Sequence, residues 1–586
     1  MGAMRRPFMR RERNPRPKVL IAYDLETTRI AKGTPRPLYL TAYGEAFQCS
    51  ARVQSLDHLG EIVRARFLTL EHHGARFVAW NGNGFDVFLI ALALLRGEDD
   101  LVIKPYLTKG KTLRGLRVET VEKFKDGKCK PRVRAWEFLD AMSMTGISGI
   151  GSTLESFLKT FAPNYTKLKA PNWAIEEFDA RNPEHVQYAE RDSEGLFHGV
   201  MAAQAITLEH FNLPLQPTIG NLGIKIFQAH IPMGKEVWAP PYDALIAIRE
   251  FAMRGGFCHC VGKFSGPIWK YDLNQAYAAA MREAMLPAGS CIHSQTLNPY
   301  ARIFIVRIEA MHASNRIPFY VRGEGFSSIF AERSIPDTWI TSIEYDQLKR
   351  EGWRINVKES FFWDDHFSMK GYVDLLESLR TKGADGKDDA QGVMMKYIGN
   401  GSYGKTVERL EGLELILANE CPEGFSNYEG ADDKLTNLWF RLGDPQFRDY
   451  HRPQIGAFIT AHVRMVLRRA ILKAPEAFRY ADTDCAMFSR AVDLDIDMRR
   501  YGAWKVECEA RPMLLITDKV YFDLETGMGH AKGMNIARLT PEAFKRWFAG
   551  ESPIQLQTQR QNFLKVMGGA PMFVERERRG QIFEGA

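Results

Sequence analysis

The run Phe478-Arg479-Tyr480-Ala481-Asp482-Thr483-Asp484-Cys485-Ala486-Met487-Phe488 sets two carboxylates at alternate positions inside an otherwise apolar stretch. Few folds tolerate this, because an unpaired carboxylate is costly to bury. If the run stays extended, Asp482 and Asp484 share one face; if it turns at Asp482-Thr483, they crowd at the tip of a hairpin. Either geometry offers one divalent-cation site. Like charges this close raise each other's proton affinity unless a cation neutralises them, which points to Mg²⁺ or Mn²⁺ chemistry on phosphates. A solvated Asp-Thr-Asp turn would explain the tripeptide alone, so other residues must decide.

At 586 residues the chain exceeds what one hydrophobic core supports, and 45% apolar with 11% aromatic residues excludes wholesale disorder. No apolar stretch is long enough to span a membrane, and the amino terminus lacks the apolar segment of a secretory signal. The 8 cysteines are scattered, and Cys258-His259-Cys260 has the wrong spacing for a zinc site, so a reduced, cytosolic setting is expected. Of the formal charge of +7, residues 1–18 carry +6, from seven Arg and Lys against Glu12, so a basic disordered arm is expected there. A second basic run, Lys104 to Arg134, is either a solvated hairpin or a surface lying along a phosphate backbone.

Hydrophobic periodicity predicts buried strands at 19–23 and 76–80, a helix from Phe85 to Leu95, and helices over 153–161 and 183–207. This α/β domain ends near Asn212-Leu-Pro-Leu-Gln-Pro217, read as a linker. Beyond it the pattern predicts a helix over 242–253, a break at Gly255-Gly256, a strand over 267–273 and β-rich material over 290–365. Helices follow over 372–380, 388–398 and 455–473, the last leading directly into the Asp482 strand.

Two groups of carboxylates emerge. In the first domain, Asp24 and Glu26 share a face of a buried strand, Asn81-Gly-Asn-Gly-Phe85-Asp86 falls at a strand-to-helix turn, and Tyr188 and Asp192 lie four apart on a helix. If these meet, Asp24, Glu26, Asp86 and Asp192 make a site for two hard cations suited to phosphodiester hydrolysis, with Tyr188 orienting the water. The tetrapeptide Asp-Leu-Glu-Thr at 24–27 recurs at 523–526, beside Gly527, where it reads as a hairpin turn with solvated acids; only the ordered trio of motifs carries weight. In the second group, Asp272 ends an apolar strand before a helix start, within Tyr271-Asp272-Leu273-Asn-Gln275-Ala276-Tyr277. Between the two acidic strings, Lys396, Asn400 and Tyr403 can share one helical face and point at a nucleoside triphosphate. Lys519 and Tyr521 place a cation and a ring on one face of a strand, suited to a phosphate and a stacked sugar or base.

In this order the strings resemble a family B DNA polymerase with a proofreading 3′-5′ exonuclease domain, most closely its protein-primed subgroup of small bacteriophages and linear plasmids. The resemblance implies an α/β and α+β multidomain fold, a ribonuclease H-like exonuclease domain over 19–212 and a right-hand polymerase over 213–586. Within the latter it implies a palm at 213–289 and 454–520, a terminal-protein-contacting insertion at 290–375, fingers at 376–405, a strand-displacement insertion at 406–453 and a thumb at 521–586. It further implies two Mg²⁺ (or Mn²⁺) ions per active site, held by Asp272, Asp484 and the Leu273 carbonyl, with Asp482 in support, and by Asp24, Glu26 and Asp192, with Asp86. Tyr277, Lys396, Asn400, Tyr403 and Leu273 would bind nucleotide; Lys519, Tyr521, Asn81, Phe85, Arg254, Gly255, Gly256 and Lys405 would contact DNA. Partners implied are DNA template and primer, deoxynucleoside triphosphates and a terminal protein, with no membrane, for a monomer in the cytoplasm of an infected or plasmid-bearing host cell. A conventionally primed family B polymerase and a catalytically silent relative are the rival readings. The chain departs from the family pattern at Gln275, Ala276, Ala278, Gly401, Cys485 and Met253.

Overall fold

Alternation in Leu20–Thr27 buries Leu20 to Tyr23 and Leu25 while leaving Asp24 and Glu26 half-buried. A strand so apolar needs cover on both faces, and the fold supplies it. The computed structural model describes residues 7–10, 17–29, 32–97, 101–107, 112–122, 132–147, 153–169, 177–313, 317–383, 388–408, 413–430, 433–442 and 448–581. Leu20–Thr27 runs parallel to Arg76–Ala79, itself parallel to Arg132–Asp140, and antiparallel to Pro37–Gly44. These strands are the heart of a ten-stranded sheet. The 29-residue helix Pro183–Phe211 lies across it, capped by Asn182, whose side chain accepts from Glu184 N, and stopped by left-handed Asn212.

The second sheet holds the opening motif. Its order is Cys258–Cys260, Phe478–Asp482, Cys485–Phe488, Phe264–Leu273, Trp504–Thr517, Val520–Asp523 and Gly529–Ala531. The helix Pro453–Leu472 packs behind it and is buried along most of its length. A third, six-stranded sheet is built from Leu286–Ser294, Arg354–Phe367, Ile303–Met311 and Ser334–Thr341, extended by Glu236–Val237 and Phe8–Met9.

Several expectations change. The basic arm is not disordered throughout: Phe8–Met9 pairs with Glu236–Val237, Phe8 is fully buried against the Phe227 ring, and Lys18 bridges Glu137 at 2.8 Å. The remaining arm arginines, apart from Arg10, lie outside the described residues, as do Lys109, Lys111, Lys123, Lys125, Lys128 and Lys130 of the second basic run. Of that run, Lys104 and Arg117 both turn inward onto buried Glu119. The segment read as a linker is core: Leu213 and Leu215 are buried, and Arg76 donates to the Leu215 carbonyl at 2.6 Å. The helix expected over 242–253 forms with a change of winding, α-helical over Tyr242–Ala247 and π-helical over Ile248–Ala252. Finally, Asp523 is not solvated but buried, accepting from Glu525 N and Thr526 N and pairing with Arg511.

Two segments from the carboxy-terminal half of the chain return to the first domain. Leu413–Leu417 joins the ten-stranded sheet through Leu417 and Ile103. Phe563, Leu564, Val566 and Met572 enter the same core as Phe77 and Phe138, Gly33 and Phe573 exchange backbone hydrogen bonds, and Arg560 donates to the Asn83 carbonyl at 2.8 Å.

Candidate active sites

The first acidic group does assemble. Leu25 N donates to Asp86 Oδ1 at 3.1 Å, tying the Asp24 strand to the helix Asp86–Leu94, and Thr41 on the neighbouring strand contacts Ser193 Oγ at 2.6 Å, fastening the Asp192 helix. Burial and then the charge of Asp192 push the Asp24 carboxyl up to about 7; burial and then Asp24 push Glu26 up to about 8. Asp86 is raised well above the usual range by burial and Asp24. Four acids that resist ionisation together in one place are a site prepared for positive charge. One cation is already there and was not anticipated from sequence: Lys167 Nζ lies 2.6 Å from Asp192 Oδ2 and 4.9 Å from the Tyr188 ring centre. Burial opposes that ammonium, yet Asp192 holds its affinity for the proton above normal. A lone lysine in an irregular segment carries no sequence signal; only the fold brings it to Asp192.

Asp140 is a fifth buried acid nearby, but its oxygens accept from Met142 N and Ser143 Oγ, and Asn83 donates to the same Ser143. It therefore shapes the turn before Asp86. Asn81 heads that turn, exposed and left-handed at φ 57°, and Phe85 is half-buried.

In the second group the hairpin geometry is the one adopted. Phe478–Asp482 and Cys485–Phe488 pair antiparallel, Asp484 N donates to Asp482 O at 2.7 Å, and Thr483 takes φ 64°. Asp272 sits opposite Cys485 on the adjoining strand, and Leu273 N donates to Asp484 O at 2.7 Å. Asp272 and Asp484 are thereby neighbours despite their separation in the chain. Burial, then the charge of Asp272, push Asp484 up to about 6. Lys519 Nζ lies 2.7 Å from both oxygens of Asp482, so the residue expected on DNA is here the counter-charge of an acid. Two further lysines were missed. Lys505 bridges Asp272 and Glu507, each at 2.9 Å, and Lys270 lies 5.6 Å above the Tyr521 ring, which stacks on His530. Lys270, Tyr521 and His530 line an open cavity of about 360 Å³ with Asp272, Asp482, Thr483 and Asp484.

Lys396, Asn400 and Tyr403 lie on the helix Ala390–Thr406, longer than expected. Lys396 is exposed, its charge reaches Asp484, and the Tyr403 ring stacks on Tyr277 at 4.6 Å and 16°. Lys405 pairs with Glu408 at 2.6 Å. Two of the departures from the family pattern, Gly401 and Gln275, have packing causes. A Cβ on Gly401 would lie 2.9 Å from Gly220 Cα, so only glycine lets this helix approach Ile219–Ala229. Gln275 occupies a left-handed helix cap at φ 48° and, with its amide oxygen toward Arg380, accepts from that guanidinium at 3.0 Å. Arg254 does not meet DNA: it is wholly buried.

Among the described residues no three Asp, Glu, His or Cys side chains already converge on one metal position. The donor chemistry nevertheless fits hard divalent cations: burial and neighbouring acids hold Asp24 and Glu26 in the first group and Asp484 in the second above their usual pKa, and Asp192 Oδ1 is buried without a partner.

Residues 175–436 match the family described as DNA polymerase type B, organellar and viral. The chain is 22% identical over 332 residues to the DNA-directed DNA polymerase of Enterobacteria phage PRD1, covering 52% of this chain and 56% of that protein. It is 21% identical over 371 residues to the DNA polymerase of Bacillus phage phi29, covering 58% and 59%. These alignments thus span under two thirds of either relative. Among solved structures, phi29 DNA polymerase complexed with primer-template DNA and incoming nucleotide shares the fold, with a TM-score of 0.73 at 17% identity over 96% of this chain and 100% of that one.

Proposed function

We propose that this relative of the organellar and viral type B DNA polymerases is a replicative, template-directed DNA polymerase with a 3′-5′ proofreading exonuclease, starting synthesis on a terminal protein. The observation that carries the reading is the juxtaposition of Asp272, paired with Cys485, and Asp484, in the turn just before it, near the stacked Tyr277 and Tyr403 rings and within reach of the Lys396 charge. Bound Mg²⁺ or Mn²⁺, two at each cluster, would lower the pKa of the attacking hydroxyl or water and neutralise charge building on the phosphate.

The chain's own groups do the rest. Asp272, Asp484 and the Leu273 carbonyl hold the cations, and Asp482 supports them through its contact with Lys519. Lys396, with Asn400 beside it, binds the triphosphate. Tyr277, fixed by its stack on Tyr403, sits where a 2′-hydroxyl would clash and so selects deoxynucleotides. Tyr521, with Lys519, receives the primer end, which on a genome terminus is replaced by a hydroxyl of the terminal protein. A mispaired end moves to the Asp24, Glu26, Asp86 and Asp192 cluster, where Tyr188 orients the water. Asn81 and Phe85 line the path of the strand. The insertions over 290–375 and 406–453 serve terminal protein and strand displacement, between fingers over 376–405 and a thumb over 521–586. Among the described residues no helix is long and apolar enough to cross a membrane. A cytoplasmic monomer is the working state.

Primer extension with labelled deoxynucleotide tests the reading: the wild type should extend, Asp484→Asn should not, and Asp24→Ala with Glu26→Ala should lose degradation of single strands only. Extension by Asp484→Asn would refute the assigned site. A linear origin with terminal protein should give a protein-nucleotide adduct; normal extension without it would favour conventional priming.

A further inference from the structure

Three charged side chains are buried behind the catalytic turn. Arg254 and Glu344 are fully inaccessible and Arg464 is 2% exposed. Arg464 Nη2 donates to Glu344 Oε1 at 2.8 Å, and Arg254 Nη2 bonds the same oxygen. The other oxygen, Oε2, accepts from Thr341 N and Oγ1, so both carboxylate oxygens are used. Burial alone would lift the Glu344 carboxyl, but the two guanidiniums hold it down at about 2. One acid serves two cations, and Arg254 Nε and Nη1 and Arg464 Nε have no partner. An arrangement carrying excess buried charge is poor at stabilising a fold, so a positional role is the better account.

What it positions is visible in the backbone. Glu344 lies on the helix Ser342–Arg350, between strands of the six-stranded sheet. Arg464 lies on Pro453–Leu472, and its Nη1 also donates to the carbonyls of Arg254 and Gly255, at 2.6 and 3.0 Å. The loop so held begins at the π-turn Ile248–Ala252 and runs straight onto the catalytic hairpin. Thr483 N donates to Phe257 O at 2.7 Å, and a Cβ on Gly256 would lie 2.6 Å from Thr483 Oγ1 and 2.8 Å from its Cα. Cys258 then pairs with Asp482.

We propose that Glu344 is a positioning residue for nucleotide addition: through Arg254 and Arg464 it clamps the loop 254–257 against Thr483, so that the insertion carrying it sets the geometry of Asp482 and Asp484. This rests on the polymerase reading above. The chain of contacts is continuous, from insertion helix to guanidiniums to loop to turn. Small displacements of reacting groups cost rate steeply, on the order of a hundredfold per ångström in unfavourable cases.

The test measures single-nucleotide incorporation on an annealed primer and single-strand degradation in the same preparations, with full-length protein. Glu344→Gln should lower the incorporation rate at saturating nucleotide by about tenfold or more while leaving degradation within about twofold, and Glu344→Asp should recover most of the loss. Because Glu344→Gln strands two buried cations, Glu344→Gln with Arg254→Met is made alongside; it keeps the net charge of the wild-type trio and should show the same selective loss. Incorporation at the wild-type rate in either folded variant overturns the proposal. So does a parallel fall of both activities, or failure of both variants to fold, since Glu344 would then serve stability alone. If the wild type itself adds no nucleotide, it is the polymerase reading that fails.

Discussion

Neutralising Asp24 and Glu26 should stabilise the metal-free protein, increasingly as pH rises above about 4. Folding lifts Asp24 from its ordinary 3.8 to about 7 and Glu26 from 4.5 to about 8. A carboxyl whose folded pKa is raised contributes stability that is fully present below its unfolded pKa and lost as pH rises through the folded value. The loss therefore runs from about pH 4, where the unfolded carboxyls ionise, to about pH 8, where the folded ones have done so. For Asp24 the rise is worth about 4 kcal/mol at about 1.4 kcal/mol for each pH unit. Burial is the larger cause at both carboxyls and the Asp24 charge also lifts Glu26, so the two rises overlap and about 4 kcal/mol serves as the figure for the pair. For a domain near 200 residues this is a shift in Tm of roughly 8–16 °C. Calorimetry in EDTA should show Asp24→Asn with Glu26→Gln melting higher than wild type by that amount near pH 9, and level with it near about pH 4. Excess Mg²⁺ should close the gap by stabilising the wild type alone. A gap that ignores pH, or a wild type that melts higher in EDTA at high pH, would refute the claim that these acids are held together against their charge.

Three shorter predictions follow from the same contacts. Lys167→Met removes the cation beside Asp192, and single-strand degradation should fall by about tenfold or more with primer extension within about twofold; equal extension and degradation losses would count against it. Lys505→Met frees Asp272 of its counter-charge, so the Mg²⁺ concentration for half-maximal extension should drop by about threefold to tenfold, as expected if about 1 kcal/mol of competition is removed, and a rise would be the contrary result. Tyr277→Val removes the ring stacked on Tyr403, and ribonucleotide insertion relative to deoxynucleotide should increase by about tenfold or more in single-turnover assays.

Sequence by itself picked out the candidate site residues, because carboxylates interrupting apolar runs at Asp24, Glu26, Asp272, Asp482 and Asp484 violate the pattern that burial otherwise imposes. It also located the strands and helices bearing them, since periodicity is a local property. It left open whether Asp482-Thr483-Asp484 is straight or bent; the tertiary structure resolves this through pairing across Thr483, whose left-handed backbone no residue pattern signals. The counter-charges Lys167, Lys505 and Lys519 were beyond local reading because a lysine's partner is set by which surfaces meet. The same holds for Leu213 and Leu215, whose polar and proline neighbours look like a linker until Arg76 closes over them. Local pattern thus names the acids, and only packing between distant segments decides which charges they face and how they are held.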